Sequence, residues 1–129
     1  MATDEPERVA EFLEAEVGDA LRSVIYYAED TFEVVYARGD VREQYDDEDL
    51  ERVRQELGVT SFGKPAMEEL YVHGELRCTV HCFEDAIEMQ FVASDTEGIA
   101  VALDPAAFVT QRTFIARCMA EAGFGYEGA

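Results

Sequence analysis

The sequence predicts an α+β fold: a single domain with a five-stranded antiparallel sheet and helices, in the order α-β-β-α-(α)-β-β-β-α. Three observations predict it. Residues 75–104 contain three consecutive strand-like runs joined by very short turns. Residues 24–37 contain two more such runs around an Asp-containing turn. Apolar residues at helical spacing lie before, between and after these two groups.

The three-strand group is the centre of the chain. Leu76, Cys78, Val80 and Cys82 alternate with Arg77, Thr79, His81 and Phe83. After a Glu84-Asp85 turn, Ile87, Met89, Phe91 and Ala93 alternate with Glu88, Gln90 and Val92. A turn at residues 95–98 leads to Ile99-Ala100-Val101-Ala102-Leu103, an unbroken apolar run short enough for a strand covered on both faces, which Asp104-Pro105 stops.

Taken in order, Asp4 is the expected N-cap of a first helix, with Glu5, Pro6 and Glu7 in its first turn and Val9, Phe12, Leu13 and Val17 on its apolar stripe. This helix ends at Gly18 or runs on to Leu21. Val24-Ile25-Tyr26-Tyr27 and residues 32–37 then form a hairpin, and Arg38-Gly39-Asp40 makes a strand-to-helix turn; its likeness to an integrin-binding tripeptide carries no weight here. Asp46-Asp47-Glu48-Asp49 opens a helix with Leu50, Val53 and Leu57 on one stripe and Gly58 at C′. Residues 61–65 read as a loop and residues 66–71 as a short helix. Asp104 caps a last helix with Pro105 at its first position, a broad apolar face of Phe108, Phe114, Ile115, Cys118, Met119 and Ala122, and Gly123 at its end. The 129 residues fit one domain, with an ordered core over about residues 5–122 and a frayed tail over residues 123–129.

Composition bears on the setting. Asp and Glu number 29 against 10 Lys plus Arg, and Lys64 is the only lysine, giving a net charge of −19. Hydrophobic residues make up 48%, so the charge does not signal disorder. Self-repulsion on this scale is relieved when salt near 1 M shortens the Debye length to about 3 Å. Acid excess with almost no lysine is the composition of halophilic cytoplasmic proteins, whose surface partners are salt cations at high concentration. No basic stripe exists to meet phosphates, so nucleic acid is not an expected partner. The absence of a leader and of a long apolar run predicts a cytoplasmic protein with no membrane partner. Cys78, Cys82 and Cys118 are expected as buried, reduced thiols.

Catalytic and metal chemistry find little support in the residues. Along one strand Cys78 and Cys82 stand about 13 Å apart at ~3.3 Å per residue, with His81 on the opposite face, so they and His73 do not assemble a zinc site. Residues 46–51 lack the spacing of a calcium loop, and Gly63-Lys64 lacks the flanking residues of a phosphate loop. No Gly-x-Ser-x-Gly elbow occurs. The reading is of a non-enzymatic protein with no catalytic residue, no metal and no cofactor. The sheet face carrying Ile25, Tyr27 and Phe83 has to be covered by a helix, a ligand or a second subunit.

The element order resembles the roadblock/dynein-light-chain family and its profilin-like relatives over residues 6–121. Tyr71-Val72-His73-Gly74-Glu75-Leu76 and Phe83-Glu84-Asp85-Ala86-Ile87 are similar to an uncharacterised small protein family of halophilic archaea. The roadblock resemblance implies a homodimer whose sheets join edge to edge, serving as a platform for a small GTPase or another signalling protein. It implies a dimer surface on residues 32–37 and the following helix, at Phe32, Val34, Tyr36, Leu50, Val53 and Leu57. Two functions from different classes follow: a homodimeric interaction or regulatory module, and a sensor holding a small ligand in a pocket between sheet and helices.

Overall fold

The structure is a computed structural model describing residues 5–124. Its five strands are β1 (Leu21–Ala28), β2 (Thr31–Ala37), β3 (Cys78–Cys82), β4 (Ile87–Val92) and β5 (Gly98–Leu103). They form one sheet in the order β2-β1-β5-β4-β3, and every neighbouring pair is antiparallel. The helices are α1 (Glu5–Val17), α2 (Gly39–Arg42), α3 (Asp47–Phe62), α4 (Lys64–Leu70) and α5 (Val109–Ala122). The single α+β domain expected from the sequence is therefore the observed one. The expected cap at Asp4 and the end of the tail lie outside the described residues.

The two sheet faces differ in what they bury. On one, Leu21, Val24, Ile87, Val101 and Leu103 make a closed cluster against Leu13 and Val17 of α1 and Phe108. Each such side chain contributes about 1.5–3 kcal/mol on full burial, so this face holds the fold together. On the other lie Ser23, Ile25 and Tyr27 of β1, Glu88 and Gln90 of β4, and Gly98, Ala100 and Ala102 of β5, facing α3.

Several local expectations change. Gly58 does not end its helix: α3 runs through it to Phe62, and Gly63 is the C-cap, its N–H donating to the Val59 and Ser61 carbonyls. Ser61 and Phe62 are thus helical rather than looped. A mid-helix glycine costs about 1 kcal/mol, and the buried hydrogen bond that Ser61 makes beyond it offsets that cost. At the other end Asp46 and Asp49 form a reciprocal capping box. α1 stops at Val17, and Gly18, at φ +58°, begins a single 3-10 turn. Asp104 precedes a 3-10 turn over Pro105–Phe108, but its carboxylate caps nothing because Arg22 and Arg38 hold it. α5 buries Ala116 rather than a broad apolar face, and Phe114 is 67% exposed. Cys78 is half-buried and Cys82 exposed because β3 is an edge strand, and Cys118 is exposed on α5.

Two glycines test this account with opposite signs. A β-carbon at Gly98 would come under 3.0 Å from the Tyr27 hydroxyl and the Phe91 carbonyl oxygen, whereas one at Gly58 meets nothing within 4 Å. Urea unfolding in molar KCl should show Gly98→Ala destabilised by about 1–3 kcal/mol and Gly58→Ala stabilised by roughly 0.5–1 kcal/mol.

Candidate ligand-binding site

Between the second sheet face and α2 and α3 lies a cavity of about 590 Å³. Side-chain size explains it. β5 contributes only the methyl groups of Ala100 and Ala102 to this face, beside Ala37 of β2 and Ala86 before β4, so the sheet floor is shallow where α3 crosses it. Ile25, Val34 and Phe83 complete the floor; Leu50, Val53 and Leu57 of α3, with Val41 and Tyr45, form the opposite wall.

One end of the cavity is tied shut by buried polar groups. The Tyr27 hydroxyl lies 2.7 Å from the Ser61 Oγ and accepts from the Gln90 amide at 2.7 Å. The same amide nitrogen donates to the Leu57 carbonyl at 3.0 Å. The network joins β1, β4 and α3, and its members satisfy one another as buried polar groups must.

The other end is charged. A bulge at the start of β1, between Leu21 and Ser23, turns Arg22 onto the same side as Ser23. Its guanidinium donates to Asp104 and to Gln44, both at 3.3 Å. Arg38 donates to Asp104 at 2.7 Å and to Asp40, and Arg42 Nε donates to the Ala37 carbonyl at 2.9 Å. These contacts hold the Asp104 carboxyl below its usual range, the Arg38 hydrogen bond first and the Arg22 bond after it, against the opposing effect of burial. Glu88 is the contrary case. It stands directly across from His81 of β3, and burial pushes its carboxyl up, with Arg22 pulling weakly the other way. Among the described residues the Glu88 carboxylate makes no hydrogen bond.

A smaller hollow of about 200 Å³ lies on the opposite sheet face by Pro6 and Phe91. There the Tyr26 hydroxyl donates to Glu97 at 2.6 Å, which with burial pushes the phenol up to about 12.

The residues expected at a dimer surface are divided by the fold. Val34, Leu50, Val53 and Leu57 line the cavity. Phe32 pairs with Tyr27 on the same sheet face. Tyr36 packs with Val35 against the α1-side core, because a register shift in the β1–β2 pairing breaks the alternation of β2. Reading the sequence alone overlooked Glu88, Gln90 and Arg22. The available signal was Glu88 and Gln90 themselves, polar residues at alternate positions of a strand flanked on both sides. Cys78 and Cys82 share a face and His81 lies on the other; among the described residues no group of three or more His, Cys, Asp or Glu is placed to hold a metal ion.

With this geometry in place, comparison with known families gives one match: residues 7–123 fit the model of a domain of unknown function, DUF7522. The chain belongs to this family. No curated protein matches it. Among the described residues of this DUF7522 chain, no helix is long and apolar enough to cross a membrane.

The two carboxylates give opposite pH signatures. Glu88 titrates higher folded than unfolded, so its contribution to stability falls as pH rises between the two values. Asp104 titrates lower folded, so its contribution is complete above the ordinary carboxylate range and is lost as pH falls through the depressed value. In urea melts at fixed KCl, Glu88→Gln should raise the midpoint near neutral pH and have no effect in acid. Asp104→Asn should lower it near neutral pH, with the difference shrinking on acidification.

Proposed function

We propose that this chain is a non-enzymatic, small-ligand-binding regulatory module whose ligand occupies the cavity between the sheet and α2–α3. The cavity itself carries the reading. Its volume of about 590 Å³ falls within the roughly 300–1,000 Å³ typical of small-molecule sites, and like them it is mostly apolar with a few convergent polar groups. The apolar stripe of α3 also faces the cavity, so these residues have a function inside the chain without any partner. The Tyr27, Ser61 and Gln90 groups bond one another and the Leu57 carbonyl, which suits a rigid binding wall better than a reacting one.

Titration of the isotope-labelled protein with 1-octanol, followed by amide NMR, tests this. Shifts should cluster at Ile25, Leu57, Met89 and Ala100, and Ala100→Leu, which fills the floor, should weaken binding by about tenfold or more. Shifts scattered over the outer surface, or undiminished binding by folded Ala100→Leu and Ala102→Val variants, would sink the reading.

A second reading is the homodimeric interaction module of a halophilic cytoplasm, with a small GTPase or signalling protein as partner. The element order supports the roadblock/profilin-like comparison, and the acidic composition supports the halophilic setting. The observation that favours association is that β2 and β3 each end the sheet with one neighbour, and β3 exposes Val80 at 43% beside the open edge. Light scattering across a KCl series should then give a dimer that persists in molar KCl, where charge repulsion is screened. A monomer throughout would remove this reading and leave the cavity reading untouched.

A further inference from the structure

We infer that Glu88 is the head-group contact of the cavity and that the ligand is an amphiphile carrying one protonated amine on an apolar body. The inference rests on the cavity being a ligand site, and it follows from which charges on the wall are already in use. Arg22 is engaged by Asp104 and Gln44, and Arg42 by the Ala37 carbonyl. Both cations therefore have acceptors without a ligand. Of the two glutamates on the wall, Glu56 is exposed on α3, where water solvates it. Glu88 stands on a strand between two others, partly buried and without a hydrogen-bond donor.

A partly desolvated carboxylate without a protein donor costs the ligand-free protein some stability. An ammonium group beside it would supply a charge-assisted hydrogen bond and remove that cost. An anionic head would meet the same carboxylate repulsively. Between the charged end and the Tyr27–Gln90 end the wall is mostly apolar, with Ile25, Val34, Val53 and Leu57 placed to receive a hydrocarbon or aromatic body. Phe83 and Tyr45 also line the space, and aromatic faces favour a cation further.

The experiment is calorimetric titration of the full chain in molar KCl, which screens the general attraction of a strongly acidic surface for amines. Three probes of matched chain length are used: octylamine, 1-octanol and octanoate. Octylamine should bind about tenfold or more tighter than the other two, the worth of one charge-assisted bond. Glu88→Gln should reduce octylamine to the level of 1-octanol and leave 1-octanol unchanged, while Glu56→Gln should leave the preference intact. Circular dichroism verifies that both variants are folded. Equal binding of octylamine and 1-octanol by the native chain, tighter binding of octanoate, or an equal loss in both variants would overturn the inference while the cavity stands. Binding of none of the three would overturn both.

Discussion

The hydroxyl of Tyr27 is the point at which the second face of the sheet is joined to its covering helix. It receives Gln90 from β4 and meets Ser61 of α3, and Gly98 leaves it the room to do so. Much follows from this junction. α3 continues past Gly58 because Ser61 has a buried partner to reach, and the helix is held at its C-terminal end. At its N-terminal end, α3 has a capping box in solvent and, among the described residues, no comparable tie to the sheet. A helix anchored at one end over a floor of alanines leaves space under its other half, and that space is the cavity.

The parts of this architecture that were legible in the sequence are those set by local pattern. Alternation located the meander, turn residues located the hairpin, and the acidic start of α3 located its cap. Readings failed where a distant contact decided the matter. Gly58 is a stop signal by itself, and only a partner far along the chain turns it into a helix interior. Asp104 is a good capping residue by type, but two arginines from other elements claim its carboxylate. The displacement of Tyr36 to the α1 side depends on a bulge that β2 shares with β1, which no residue in β2 announces. The cavity was hardest to foresee: Ala100 and Ala102 read as part of an apolar strand, and volume missing from a strand is visible only once the helix above it is in place.

Charge is used economically inside the fold. Arg22 and Arg38 converge on Asp104 and so fasten the start of β1, the exit of β2 and the end of β5 together. Arg52 and Arg54 pair with acids one turn earlier on α3, where solvent screens them and their worth is small. With 29 acids and 10 basic residues, most carboxylates have no cationic side chain to meet and face water and ions instead.

Lys64 completes that economy. The single lysine of the chain is 8% exposed, its ammonium held by Glu68 and Glu75, and the Glu68 carboxylate also accepts the Leu76 N–H. The hydrogen bond that its ammonium donates to Glu68 raises its affinity for the proton still further. An acylating, glycating or cross-linking reagent needs a neutral, accessible amine, and the side chains of this protein offer none. Reagents that attack lysine therefore find no accessible target among the described side chains.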